Sequence, residues 1–320
     1  MARTTVRMLV LFLLLAGSVN AWGAGRPAAA PAPAPAADPD RPATLGMVAY
    51  ADPRSQYEQT APLAEYLGRK AGLNLHLKLY ADYFSLLSDI DHESLDVAIV
   101  SPLVYTFCMD DPALTFLATS LEAGKPFYHG ALLARKDSPL LSVRDLAGRT
   151  IAFVDPYSAS GYVYPAAFLL GQGLVRDGKP LYKPVFCGSH EKVLRALLEG
   201  KVDAAATYDS FFAFAGHQVG GRGNLSLTDF RVLKLLPEQI PSDAVVCRSA
   251  LGPEVIRALE TALHQYEQDR TAAGSPLAGV FYSGFKPGNQ AAYVAVKTLL
   301  ERLPGDVQPD PDEAAPAPDQ

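Results

Sequence analysis

The sequence predicts an α/β protein of two lobes joined by two crossover strands, with a ligand cleft between them. Three observations predict it. Short β-rich runs alternate with helical periods from "LGMVAY" onward, as in βαβ units with right-handed crossovers. "LDVAIV" is a continuous apolar strand of the kind that lies inside a parallel sheet. And the pattern changes twice, at "YHGALLARKDSPL" and "SDAVVCRSAL", which read as a strand leaving the first lobe and one returning to it.

Taken in order, the chain of 320 residues begins with Arg3 and Arg7 ahead of the apolar "MLVLFLLLAG" and the small residues of "SVNAWGAG", the pattern of a secretory signal peptide over 1–24, cleaved near Ala21 or Ala24. An uncleaved N-terminal anchor is the alternative. "RPAAAPAPAPAADPDRPA" reads as a Pro/Ala spacer over 25–43, and 304–320 as a disordered tail of the same character. Between them the expected organisation is a first part of lobe 1 over 44–130, lobe 2 over 131–243, and a return to lobe 1 over 244–303.

In lobe 1, "LGMVAY" is read as a strand and "TAPLAEYLGRKAG" as a helix stopped near Gly72. "LNLHLKLY" alternates as a half-buried strand, and "DYFSLLSDI" places Tyr83, Leu86, Leu87 and Ile90 at helical spacing. Lobe 2 reads as a short helix and strand in "SVRDLAGRTIAFVD", then strand, helix and strand in "KPVFCGSHEKVLRALLEGKVDAAATYD". "GPEVIRALETALHQYEQ" and "NQAAYVAVKTLLERL" are amphipathic helices able to pack back on lobe 1.

Composition excludes several functions. The formal charge is −6, and removal of Arg3 and Arg7 with the signal gives −6 − 2 = −8, with no basic cluster, so nucleic acid is not an expected partner. Cys108, Cys187 and Cys247 lack metal-site spacing, and no cofactor or metal is expected. One disulfide with a free thiol and three buried thiols are both open.

Ligands of open α/β sheets bind beyond the carboxyl ends of the strands, where strand-to-helix loops gather. Three such loops share one design. "VSPLVY" offers Ser101 as N-cap before Pro102, "DPYSASGYVYP" offers Ser158 and Ser160, and "GSHEKVLRALL" offers Ser189 with His190 in the first turn. Each helix start carries unpaired N–H donors and partial positive charge, so converging starts can hold an oxyanion without arginine. A helix N-terminus also disfavours an imidazolium, which suits His190 as a neutral hydrogen-bond donor.

The order and spacing of "YADYFSLLSDIDHESLDVAIVSPLVY", "DLAGRTIAFVDPYSASGYVYP", "GSHEKVLRALLEGKVDAAATYDS" and "IPSDAVV" are similar to those of the periplasmic phosphonate, phosphite and phosphate-binding proteins of ABC importers, members of the type II solute-binding fold. The resemblance implies a periplasmic, monomeric protein whose partners are a small anionic ligand and an ABC permease. It implies a site built from Ser158, Ala159 and Ser160 of the loop, His190, Asp243 as the acid near the returning strand, and Tyr83 and Tyr105 as the first-lobe wall. Two departures bear on the ligand. Ala159 stands where the family has a threonine hydroxyl. Where the aminoalkylphosphonate-binding member has a glutamate after the "VDAAA" strand, this chain has Asp209 nearby and Ser210 closest by count.

Structural roles compete with each assignment. Ser158 is also an ordinary cap, Tyr83 and Tyr105 have core spacing, Asp209 can cap "SFFAFAG", and Asp243 can be a turn residue after Pro241. A Ser-His-Asp hydrolase is the rival class, but the chain lacks a Gly-x-Ser-x-Gly elbow. A lobe pair reporting to a membrane sensor would have the same fold and site.

Overall fold

The computed structural model describes residues 42–213 and 226–304; the expected signal peptide, most of the spacer, and the tail beyond Pro304 lie outside them. Lobe 1 opens with β1 (Ala43–Val48), α1 (Pro53–Ala71), β2 (Leu75–Tyr80), α2 (Tyr83–Asp91), β3 (Val97–Val100), α3 (Pro102–Cys108) and β4 (Leu114–Leu121). A short strand β5 (Phe127–Tyr128) leads to β6 (Gly130–Arg135), β7 (Thr150–Phe153), α4 (Tyr164–Gly171), the hairpin strands β8 (Val175–Arg176) and β9 (Lys179–Pro180), β10 (Lys183–Phe186), α5 (His190–Leu198), β11 (Ala204–Tyr208) and β12 (Phe230–Leu235). β13 (Ile240–Pro241) leads back to β14 (Ala244–Arg248), α6 (Pro253–Thr271), β15 (Gly284–Lys286) and α7 (Gln290–Glu301).

These strands form two main sheets, ordered β15-β4-β14-β3-β1-β2 and β10-β7-β11-β6-β12. β5 pairs antiparallel with β13 through Tyr128 opposite Ile240 and Phe127 opposite Pro241, so the outgoing and returning passages between the sheets run side by side. β3 was expected inside a parallel sheet. It is parallel to β1 but antiparallel to β14, because the returning strand inserts between β3 and β4 and makes the sheet mixed. Both neighbours bury it, which is why its sequence is apolar throughout.

Helix starts are set locally. α1 begins seven residues earlier than the "TAPLAEYLGRKAG" reading, at Pro53, because the Asp52 carboxylate accepts from Ser55 N at 2.9 Å and Pro53 fits the first turn, while Pro62 is tolerated inside the helix. Gly72 ends it at φ 69°. The helix expected in "SVRDLAG" is a single 3₁₀ turn, Val143–Leu146, closed by a Ser142–Asp145 capping box. β4, β12 and β15, none of them read from the sequence, complete the sheets. Cys108 and Cys247 are buried free thiols and Cys187 is a half-buried one, which resolves the open question in favour of three thiols.

The junction after β7 matters most for the site. The chain turns at Asp155, whose carboxylate accepts from Tyr157 N at 2.8 Å, and enters a π-helical turn, Ala159–Val163, that runs directly into α4. Gly161 sits where a Cβ would lie 2.4 Å from Val154 Cγ2 and 2.7 Å from Ser158 Oγ, so glycine lets the turn pack on the end of the strand. Gly161→Ala is expected to destabilise the protein by about 1–3 kcal/mol through overpacking against Val154, read as a lower urea midpoint. An unchanged midpoint would show that this junction is looser than its geometry.

Candidate ligand-binding site

Between the two sheets lies a cavity of about 310 Å³, counting the space at its mouth, lined by Tyr50, Tyr83, Ser101, Glu122, Tyr128, Ser158, Ala159, Ser160, His190, Tyr208, Asp243 and Phe281. As the lobes stand here the enclosed space is only about 20 Å³, room for about one water and far short of a ligand site. Four helix starts open on it. Tyr83 is the first residue of α2, Ser101 caps α3, His190 is the first residue of α5, and Ser158–Ser160 begin the π-helical turn. The caps are satisfied within their own helices: Ser158 Oγ accepts from Gly161 N at 3.0 Å, and Ser101 Oγ from Val104 N at 3.4 Å. The backbone N–H groups of Ala159 and Ser160, by contrast, find no acceptor among the described residues, as the first turn of a helix requires.

Phenols link these starts to the other side of the cavity. Tyr83 and Tyr128 line the cavity with Ser158 and Ser160, and each serine opposes the upward shift that burial gives its phenol. His190 Nδ1 lies 3.0 Å from Thr207 Oγ1, and its ring meets Tyr208 edge-on at 4.7 Å between centroids. Two carboxylates line the same cavity. Asp243 accepts from the Tyr50 phenol at 2.9 Å and the Tyr282 phenol at 3.0 Å. Burial pushes it up to about 6, and the two phenols hold it there against a larger rise. Glu122 accepts from Ser210 Oγ at 2.8 Å. Burial first, and then the neighbouring Asp243 charge, push Glu122 up to about 8, with only the Ser210 bond opposing. Among the described residues no lysine or arginine lines the cavity.

The structure brings together Tyr83, Ser101, Ser158, Ala159, Ser160, His190 and Asp243 of the residues singled out from the sequence. Tyr105 and Asp209 are corrections. Tyr105 is packed against Phe116 and Tyr293, ring centroids 5.3 and 4.8 Å away, and its phenol accepts from Gln290 Nε2, so α3 turns this residue toward α7 and away from the cavity. The Asp209 carboxylate accepts from Ser210 N at 2.8 Å and His129 N at 3.0 Å; it starts the 3₁₀ turn Asp209–Ala213 and joins it to the strand opposite. The rest of "SFFAFAG" lies outside the described residues.

Tyr50, Glu122, Tyr128, Tyr208 and Phe281 were not anticipated. Glu122 carried one signal, a charged side chain closing the apolar run "LATSL". In the fold it lines the cavity, where Ser210, 88 residues later and in the turn after β11, donates to it.

The model of the family described as "ABC transporter, phosphonate, periplasmic substrate-binding protein" matches residues 45–293. The chain is 27% identical over 224 residues to a phosphate-import protein of Mycolicibacterium smegmatis, covering 67% of this chain and 68% of that protein. It is 22% identical to the phosphonates-binding periplasmic protein of Escherichia coli, over 53% of this chain and about half (51%) of that one. Among solved structures, the binding-protein component of a phosphonate ABC transporter from Pseudomonas aeruginosa superposes with a TM-score of 0.69 at 20% identity, over 80% of this chain and 84% of that one. PhnD1 from Prochlorococcus marinus, solved with methylphosphonate, superposes with a TM-score of 0.68 at 14% identity, over 82% and 97%. These structures share the two-lobed type II periplasmic binding fold, and no helix among the described residues is long and apolar enough to cross a membrane. The chain belongs to the periplasmic substrate-binding proteins of phosphonate ABC transporters, an extracytoplasmic family that presents its ligand to a permease and binds it without transforming it.

Proposed function

We propose that the protein captures a short zwitterionic phosphonate, an aminoalkylphosphonate, with its two ends held by opposite sides of the cavity. The observation that carries this reading is the pairing, in one small cavity, of helix starts with uncommitted N–H groups at Ala159 and Ser160 and a side made of Glu122, Asp243 and aromatic rings. An oxyanion placed at the helix starts takes hydrogen bonds from the two amides and the neighbouring hydroxyls, and the helix ends favour its charge. Two buried carboxylates with no cation among the lining residues suit an ammonium group, and rings such as Tyr50 and Phe281, stacked 6.1 Å apart, can add cation–π attraction.

The departure at the glutamate position fits the same reading. Ser210, which falls nearest that position by count, donates to Glu122 from the opposite lobe, so an acid reaches the cavity from the end of β4 instead of from the position after the "VDAAA" strand. A phosphate or plain phosphonate without a cation is the second reading, favoured by the relative that is a phosphate-import protein. In both readings an ABC permease receives the ligand.

Calorimetry with 2-aminoethylphosphonate, methylphosphonate, phosphite and phosphate separates them. The aminophosphonate is expected to bind at least about tenfold more tightly than any other, a difference of about 1.4 kcal/mol. Equal affinities, or phosphate binding best, would overturn the zwitterion reading.

Two substitutions test where the anion sits. Ser160→Ala is expected to weaken the aminophosphonate by about tenfold or more, since a hydrogen bond to a charged group is worth about 1.5–3 kcal/mol. Tyr105→Phe should leave affinity unchanged, because that phenol lies outside the cavity lining. A loss at Tyr105 with none at Ser160 would place the ligand elsewhere.

A further inference from the structure

Glu122 is buried, 4% exposed, as the lobes stand here, and among the described residues its carboxylate accepts one hydrogen bond, from a neutral serine of the opposite lobe. Among the described residues no lysine or arginine acts on it or lines its cavity. Asp243 and Asp209 are acids, Tyr128, Tyr208 and Tyr282 are neutral phenols, His190 lines the same cavity, and the Lys125 side chain, at the far end of the turn that Glu122 starts, is exposed. Asp243 differs from Glu122 in having two phenol donors on its carboxylate.

We propose that Glu122 is a charge filter: it takes up a proton from solvent when the lobes close on a ligand that carries only negative charge, and stays ionised only when the ligand brings a cation. The inference rests on the aminophosphonate reading for its second half alone. When the lobes part, Ser210 leaves Glu122 and water replaces it, so the carboxyl returns toward its ordinary titration range and is ionised at neutral pH. Closure removes that water. A buried carboxylate beside a second acid then either binds a proton or pairs with a cation. The direction of the Glu122 shift, upward to about 8 with burial as the main cause, is what this geometry requires.

The sign follows directly. Below the ordinary carboxylate value Glu122 is protonated in both open and closed forms and closure costs nothing extra. Between that value and about 8 the closed form holds one proton more than the open form, so affinity for a purely anionic ligand falls as pH rises, by up to about tenfold per pH unit, and levels off above about 8. A ligand ammonium replaces the proton and removes this dependence.

The test compares wild type with Glu122→Gln, which cancels the titration of the ligand itself and of Asp243 to first order. With methylphosphonate between pH 5.5 and 7.5, calorimetry in buffers of different ionisation heat should show wild type taking up close to one proton more than Glu122→Gln, with its affinity falling relative to the variant. With 2-aminoethylphosphonate the excess uptake should vanish and Glu122→Gln should bind more than tenfold more weakly than wild type. The same pH dependence in wild type and variant with methylphosphonate would overturn the proposal, as would equal excess uptake with both ligands. Ser210→Ala serves as a second variant: loss of its hydrogen bond should keep the uptake and extend it to higher pH, and loss of the uptake would count against Glu122. If neither phosphonate binds, the aminophosphonate reading falls and phosphate becomes the anionic probe: excess proton uptake by wild type over Glu122→Gln on phosphate binding keeps the filter, and equal uptake overturns it.

Discussion

The constraint on which the rest depends is that an anion in this cavity would have only dipoles to hold it. Among the described residues no lysine or arginine lines it, while two carboxylates do. In a site removed from water an anion needs donors already aimed at it, and helix N-termini supply them at no cost in additional buried cations. The two-sheet arrangement serves this need, because β7, β3 and the strand before α5 each end where the next helix begins, and those ends face one another across the gap.

The acidic side of the cavity is built by the passages between lobes. Glu122 follows β4 just before the chain leaves for the second sheet, Tyr128 lies in β5, and Asp243 directly precedes β14 on the return. The passages between the sheets therefore carry residues of the candidate site. A movement that parts the sheets must part Ser210 from Glu122, and any group that neutralises Glu122 favours the closed arrangement. Asp243 has a steadier role: fixed by Tyr50 and Tyr282, it joins the ends of three segments of lobe 1 that are far apart in the chain.

The neutral donors around Asp243 and the single donor at Glu122 show why two acids in one cavity do not behave alike. Burial raises both, but Asp243 with two phenols to favour its charged form reaches only about 6, while Glu122, beside the Asp243 charge and with one serine donor, reaches about 8. The difference divides the labour between a carboxylate that stays charged over the neutral range and one that exchanges its proton.

Ser101, Ser158, Ser160 and His190 were legible in the sequence because a helix start is encoded within about four residues: a small polar cap, a proline or glycine, then an apolar run. The two-lobe fold was legible for a similar reason, since βαβ alternation and the two changes of pattern are local signals. Other features were decided only by tertiary structure. Tyr105 shares the spacing of a cleft residue, yet the packing of α3 on α7 turns it into the core. Glu122 looks like a surface charge after a strand, and in the fold it lines the cavity, where Ser210, 88 positions away, donates to it. β3 reads as an interior parallel strand, but its antiparallel partner arrives from the far side of lobe 2. A residue's neighbours along the chain determine its backbone and its cap. Which face of an element meets a distant lobe is set by how the sheets pack, and no local pattern carries that information.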